Sequence, residues 1–405
     1  MTRRTFLPLP WLACTPLAFA EWNQWRGPER DGKSPATGLL ERWPEGGPPL
    51  AWEAEGLGEG YASFSFVNGR LYTQGQRGGR QFLIALDAGT GRKLWETPNG
   101  DSYDDRRGSG PRGAPTIDGE TVYALAANGS LLAAEAASGR EIWRVPLLQR
   151  FGGSNIRWGI SESPLIDGDK IIVSPGGRGA GVVALDKSDG GLIWKSQSDE
   201  PGYSSPVVAE IGGLRTYVLL TGEAAIGLRA DNGELLWRYP QVANSTANIA
   251  TPIVREPHVF VSSDYGVGCA LLRLERSGGD VSADEVYFHR DMRNHYSSSV
   301  LLDDHLYGFS SSILTCMRFE TGEVAWRDRS VGKGQIIYAD GRLYLLSEDG
   351  VVGLVEPSPA AYREVSRFEL KQRSNYPSWT LPVIADGKLV LRDQERVWAY
   401  NVKAG

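Results

Sequence analysis

Ala85-Leu86-Asp87-Ala88-Gly89-Thr90-Gly91-Arg92-Lys93-Leu94-Trp95 is the stretch on which the fold turns. An apolar run ends at an acidic residue, a Thr-Gly turn follows, and a second run closes on tryptophan. Four further segments share the cadence: Ser138-Gly139-Arg140-Glu141-Ile142-Trp143, Asp189-Gly190-Gly191-Leu192-Ile193-Trp194, Asn232-Gly233-Glu234-Leu235-Leu236-Trp237 and Thr321-Gly322-Glu323-Val324-Ala325-Trp326. In each, Gly stands four residues before Trp, and a polar residue (Asp87, Glu135, Asp186, Arg229 or Arg318) stands eight before it. The spacing describes a hairpin whose tight turn needs a left-handed residue and whose second strand ends in an indole.

A second turn series runs ahead of the first. Asn68-Gly69, Asp118-Gly119, Asp167-Gly168, Gly212-Gly213, Glu256-Pro257, Asp303-Asp304, Asp340-Gly341 and Asp386-Gly387 each separate two apolar strands, at spacings of 37 to 50 residues. That is the length of a four-stranded propeller blade, and eight turns predict eight blades. Blades five and seven lack the terminal Trp, and Tyr287 and Phe368 are the expected stand-ins. Residues 379–402 supply only three strands. Leu50-Ala51-Trp52-Glu53-Ala54, which carries a Trp ahead of the first full repeat, is expected to be the fourth. Joining the two chain ends in one blade removes the open sheet edges. The predicted fold class is all-β: an eight-bladed β-propeller of four-stranded antiparallel blades with tryptophan-docking repeats, closed by an N-terminal strand.

Composition agrees. The 405 residues include 50 Gly, 23 Pro, 13 Trp and 16 Tyr, as expected of a turn-rich all-β chain. A formal charge of −6 argues against a broad phosphate-binding surface and hence against nucleic acid. No apolar stretch after residue 20 is long enough for a transmembrane helix. Residues 1–20 look like an address: Arg3-Arg4 before a modest apolar segment resembles a twin-arginine export signal, and Ala18-Phe19-Ala20 supplies a small-x-small cleavage site. An ordinary secretory signal gives the same mature start at Glu21, whereas lipidation at Cys14 is a rival. Loss of Arg3 and Arg4, with no acidic residue lost, moves the charge from −6 to −8. The expected organisation is a signal peptide over 1–20, an N-terminal segment with the ring-closing strand over 21–60 and the propeller over 61–405. The expected location is exported and periplasmic. Cys269 and Cys316 lie 47 residues apart, near one repeat length, and are expected as buried free thiols on third strands of neighbouring blades.

The Ala-x-Asp-x-x-Thr-Gly-x-x-x-Trp cadence resembles the repeat of pyrroloquinoline quinone (PQQ) dehydrogenases, of the quinoprotein alcohol dehydrogenase-like superfamily. It is similar also to the non-enzymatic propeller of the outer-membrane β-barrel assembly machine. The opening Trp22-Asn23-Gln24-Trp25-Arg26-Gly27-Pro28 resembles the start of exported PQQ-like repeat proteins, so the resemblance covers essentially all of residues 21–402. The motif implies the fold and leaves the function open, because its Trp and Gly hold blades together in enzymes and non-enzymes alike.

In a propeller the residues just before each innermost strand converge on a central funnel. Small and hydroxylated residues dominate there, as in Tyr61-Ala62-Ser63 and Tyr203-Ser204-Ser205, and close backbone approach alone would favour them. Charged and large aromatic groups are a different matter, and Arg157, Trp158, Glu162, Asn248, His295, Tyr296 and Trp379 are the candidate binding residues. The resemblance implies what a dehydrogenase needs. Its planar tricarboxylate wants an aromatic floor (Trp158 or Trp379), a cationic clamp (Arg157) and a calcium ion on oxygens such as those of Glu162 and Asn248. The adjacent cysteine pair common in such enzymes is missing.

The expected function is therefore a binding or scaffold propeller acting through its loops and central funnel, on a protein partner or a small ligand. The alternative is a PQQ-dependent dehydrogenase oxidising an alcohol or sugar, with PQQ and calcium as its cofactors. The binding reading calls for no cofactor, catalytic residue or metal. His289 and His295 lack zinc spacing, Asp101, Asp104 and Asp105 read as solvated loop acids, and residues 176–181 lack the Lys-Ser/Thr of a phosphate loop.

Overall fold

The computed structural model describes residues 21–405. The export signal, its cleavage after Ala20 and the Cys14 alternative all lie outside the described residues. The chain forms an eight-bladed propeller of four-stranded antiparallel sheets, with the strands of a blade adjacent in sequence order. Blade 1 comprises Ser65–Val67, Arg70–Arg77, Arg80–Asp87 and Lys93–Asp101. Blade 8 comprises Val383–Ala385, Lys388–Asp393, Arg396–Asn401 and, as its outer strand, Leu50–Ala54. That last strand pairs antiparallel with Arg396–Asn401, so blade 8 is shared between the two ends of the chain. Asn68 (φ 52°) and Gly69 (φ 73°) show why the inner turns favour Asn-Gly and Asp-Gly: both positions are left-handed, and the turn then follows the twist of its strands.

The tryptophan motif has a mechanical basis that recurs in all eight blades. Where the outer strand pairs with the third, the register skips one residue, forming a β-bulge. The skipped residues are Leu94, Ile142, Ile193, Leu236, Val286, Ala325, Val365 and Ala51. A bulge re-aims the side chain beside it, and in six blades that side chain is Trp. In five of these the indole crosses to the next blade and donates to a carbonyl there, and in four it also covers that blade's turn glycine. Trp52 donates to Ala88 O (2.9 Å), Trp95 to Ala136 O (3.2 Å), Trp143 to Lys187 O (3.1 Å), Trp194 to Ala230 O (3.1 Å) and Trp326 to Ser358 O (2.8 Å). A Cβ added at Gly91, Gly139 or Gly233 would come within 2.5 Å of the covering ring. In the first four contacts the acceptor follows the polar residue eight before a Trp, which explains that register.

Blades 4, 5 and 7 depart from the rule. Blade 5 has a long hairpin, Gly268–Ser277 and Asp280–His289, without the Thr-Gly turn. The Trp237 indole nitrogen of blade 4 therefore finds no acceptor, although its ring is buried against Leu272, Leu274 and Val281. Tyr287 does occupy the Trp register of blade 5 and donates to Phe319 O at 2.9 Å. In blade 7 the structure differs from expectation. Ser366 occupies the Trp register, and Phe368 lies two residues farther on. An indole from the N-terminal segment fills the space without making the repeat's hydrogen bond: Trp43 is buried edge-on to Phe368 (5.3 Å), its backbone N–H donates to Ser366 Oγ (3.0 Å), and its indole nitrogen finds no acceptor. Cys269 and Cys316 are buried free thiols on third strands of blades 5 and 6.

Residues 22–34 do not pack on the outside of the ring but thread its axis. Trp22 bridges to Phe66 of blade 1, and Asn23 exchanges hydrogen bonds with Ile117 of blade 2. Lys33–Ser34 adds a parallel strand to the innermost strand of blade 7, Gly334–Ala339. Two buried arginines pin the coil between them. Arg26 donates to Ser298 O and Ser299 O of blade 6, and Arg30 to Ser163 O and Pro164 O of blade 3 and Pro206 O of blade 4. Both take positive φ (62° and 55°), unusual for a side chain with a Cβ. Each guanidinium offers five donors in a planar fork, so one side chain can serve several inner-strand carbonyls of two blades at once.

Candidate functional site

The axial segment closes the channel and leaves a bowl on the face where the innermost strands begin. Trp25, whose indole donates to Thr251 Oγ1 (2.9 Å), turns one ring into the bowl. Below the segment, a second cavity of about 520 Å³ is lined by Pro28, Arg30 and Lys33. The bowl itself encloses about 130 Å³. Its wall is an arc of rings supplied by different blades: Tyr61 to Trp379 (5.0 Å between centroids), Trp379 to Tyr296 (5.7 Å), Tyr296 to His295 (5.8 Å) and His295 to Tyr265 (5.1 Å). Trp158 and Tyr203, 5.8 Å apart, complete it.

Hydrogen bonds fix the arc from behind. The Trp379 indole donates to Glu348 Oε1 (2.6 Å), which also pairs with Lys333 (3.1 Å). Gln335 donates to the carbonyls of Tyr296 and Trp379 (3.2 and 2.9 Å). His295 Nε2 meets Tyr265 Oη at 2.9 Å. Burial, with Lys333 nearby, pulls His295 down to about 4, so its ring is neutral at pH 7.

Cations crown this wall. Arg112 sits 4.9 Å from the Tyr103 ring and 5.8 Å from that of Tyr61, donating to Gly108 O and Gly110 O. Arg107 and Arg157 approach the Trp158 ring at 5.9 and 5.1 Å. Both are exposed, and among the described residues neither guanidinium has a carboxylate within salt-bridge distance. Asp105 is the one acid of the bowl, and its Oδ1 accepts the Arg107 backbone N–H (2.8 Å).

Of the residues singled out in the sequence, Trp158, His295, Tyr296 and Trp379 line the bowl together. Arg157 and Asn248 line a neighbouring polar groove of about 380 Å³, which meets the bowl at Tyr203. Glu162 lies in neither. It is buried, accepts the Ser174 backbone N–H at 2.5 Å, and burial raises it to about 7 against the opposing pull of Ser174 and Arg30. Asn248 is spent on structure. Its Oδ1 accepts from Asn244 N (2.9 Å), and its Nδ2 donates to Thr221 O and Gly222 O (3.0 and 3.1 Å). Position along the chain indicated the convergence but not which way a side chain turns. Trp25, Arg107 and Tyr265 stand outside the positions just before the innermost strands, in the axial coil, a long inter-blade loop and a strand-joining turn, so chain position does not point to them.

These positions test the fit of PQQ with calcium. The Glu162 carboxyl and the Asn248 amide do not meet at one point beside the rings. Among the described residues, no three His, Cys, Asp or Glu side chains cluster to hold a metal. A cavity of about 130 Å³ is also well below the few hundred Å³ usual for a larger ligand. The residues present do not fit the calcium-bound tricyclic cofactor.

Comparison with known proteins agrees with the architecture. The family profile described as Outer membrane protein assembly factor BamB matches residues 79–328. A protein of that name from Yersinia pestis is 25% identical over 321 residues, covering 75% of this chain and 76% of its own length. Quinohemoprotein alcohol dehydrogenase ADH IIB from Pseudomonas putida is 25% identical over 233 residues, covering 54% of this chain but 33% of that protein. Among solved structures, BamB from Moraxella catarrhalis superposes with a TM-score of 0.61 at 15% identity, over 87% of this chain and 99% of that one. Quinohemoprotein alcohol dehydrogenase from Comamonas testosteroni gives 0.66 at 13% identity, over 95% and 81%. At such identities the structural likeness concerns the fold. With more than half of its length inside the family profile, the chain belongs to the PQQ-like β-propeller family described as outer membrane protein assembly factor BamB.

Proposed function

We propose that the chain is an exported binding scaffold that recognises its target at the axial bowl and the adjoining loops. The observation that carries this reading is the convergence of Trp25, Tyr61, Trp158, His295, Tyr296 and Trp379 on one small cavity. Six rings from the axial coil and four blades form a preorganised, largely apolar site with polar groups at its edge, the usual composition of a recognition pocket. Relatives named as assembly factors support a scaffold role, with a protein partner or a small ligand on this face. Arg3-Arg4 and Ala18-Phe19-Ala20 support export to the periplasm by a twin-arginine signal with cleavage after Ala20.

The dehydrogenase alternative is tested directly. The purified chain is incubated with PQQ and calcium, then assayed for dye reduction with alcohols and sugars. The expected result is neither stoichiometric uptake nor turnover. Uptake of both with substrate-dependent dye reduction would replace the scaffold reading. Fractionation and N-terminal sequencing check export, with Glu21 expected as the first residue.

A further inference from the structure

We infer that the bowl and the polar groove beside it take a carboxylate-bearing oligosaccharide, one sugar ring in the bowl and its neighbours along blades 3 to 5. The inference deepens the binding reading and rests on it.

The shape of the bowl carries the first step. A flat aromatic ligand is held best where ring faces lie near parallel. Here successive rings are tilted instead: 39° between Tyr61 and Trp379, 37° between Trp379 and Tyr296, 45° between Tyr265 and His295 and 44° between Trp158 and Tyr203. Tilted faces around about 130 Å³ match a single puckered ring, whose axial C–H bonds can meet several aromatic faces at once. Such a ring also needs polar neighbours at its equator, and Ser161, Ser205 and the Asp105 carboxylate line the same cavity.

Continuity carries the second. Tyr203 lines both cavities, and Arg157, over the Trp158 ring, lines the groove. The groove is bounded by Ser154, Asn155, Ser245 and Thr246, side chains and turns rich in hydrogen-bonding groups. An aromatic cup that shares its Tyr203 wall with a polar trough is suited to a chain of hydroxylated rings more than to an isolated small molecule.

Charge carries the third. Arg107 and Arg157 flank Trp158 at the junction, and neither has a carboxylate partner among the described residues. The protein as a whole is acidic, so exposed unpaired guanidinium groups here are a local choice. They suit carboxylates carried on the rings, to which a guanidinium binds through paired N–H donors.

The test measures tryptophan fluorescence and calorimetric binding of the mature chain to four probes. They are oligogalacturonate of four to six rings, a neutral xylo-oligosaccharide of the same length, 4-hydroxybenzoate and oligoglutamate. Oligogalacturonate is expected to bind most tightly, with quenching of the bowl tryptophans and weakening in salt. Arg107→Ala with Arg157→Ala, both at exposed positions, should weaken it by about tenfold or more, the scale of a lost charge-assisted contact. Ser154→Trp, which fills the groove, should cut the affinity for the oligomer to that of galacturonic acid monomer. Equal binding of the neutral oligomer or of oligoglutamate would overturn the proposal. So would tighter binding of 4-hydroxybenzoate, although a bowl that binds it would still be a recognition site. Failure of all four probes, with stoichiometric PQQ uptake, would remove the binding reading as well.

Discussion

The Trp52 indole donates to the Ala88 carbonyl 2.9 Å away, and its ring lies where a Cβ on Gly91 would have to go. One contact thus joins the N-terminal strand of blade 8 to blade 1 and shuts the ring. It uses the same donor, acceptor position and glycine as the joints between other blades. Closure needs no special device, only one more copy of the repeat supplied out of order.

Replacing Trp52 by Ala is therefore expected to destabilise the chain by about 3–5 kcal/mol, the range for a lost core aromatic. The loss should also raise proteolysis near residues 50–54 before the remaining blades open. Gly91→Ala should act in the same direction, because it strains a left-handed residue (φ 73°) and pushes against the indole. Urea midpoints within error of wild type for both variants would show that the joint is not required.

A second expectation separates two residues that meet at blade 7. Trp43 fills the place where blade 7 lacks a repeat tryptophan, so Trp43→Ala should lower stability by about 3–5 kcal/mol, even though it lies more than three hundred residues from Tyr344, Ser366 and Phe368, which it touches. Ser366→Ala removes only the hydroxyl that accepts the Trp43 N–H, a change of about 1 kcal/mol. A Trp43→Ala protein as stable as wild type would sink the substitution of one segment for the other.

The axial arginines give a third. Arg30→Met keeps most of the volume but takes the guanidinium donors from the Ser163 and Pro206 carbonyls and leaves Pro164 O with the Thr116 hydroxyl alone. The expected cost is about 3 kcal/mol or more, since each buried unsatisfied group costs on the order of 1–3. Arg30→Lys should recover little, because one ammonium cannot copy a planar fork that spans two blades. Chemical denaturation of the pair decides it: a fully rescued lysine variant would mean that charge, not the fork, holds the coil.

Much of this architecture was legible in the sequence because it is local. Asn68-Gly69 sets a turn between adjacent strands, and Gly91 stands four residues from Trp95, so repeat spacing exposes both. The N-terminal coil was not legible. Trp22 to Ser34 shows neither period-2 nor helical patterning, and its contacts are with blades up to three hundred residues away. The same limit applies at the site. Trp158, His295 and Trp379 could be placed near the axis by position. The inward turn of Glu162 and the capture of Asn248 by its own loop depend on rotamers and hydrogen bonds that spacing does not encode. Phe368 shows the same limit in small: it is an aromatic near the right place, whereas the bulge register selects Ser366 and leaves the space to Trp43.

Glu162 makes the last expectation, and its sign follows from burial. The carboxyl lies inside blade 3 with one backbone donor at Ser174, and burial raises it from an ordinary 4.5 to about 7. Between those two values the folded chain keeps a proton that the unfolded chain has released. Stability therefore falls as pH rises from about 4.5 to about 7 and levels off above, with a contribution on the order of 3 kcal/mol. Glu162→Gln keeps the shape and the acceptor oxygen but cannot ionise, so it should be close to wild type at pH 5 and more stable than wild type at pH 8. Urea unfolding of both proteins at the two pH values measures the difference directly. A wild-type loss between pH 5 and 8 that persists unchanged in Glu162→Gln would place the titration elsewhere. Arg30 supplies an internal control, because its charge is among the influences holding Glu162 down. In Arg30→Met the carboxyl should move higher still, and the pH at which stability levels off should shift upward with it.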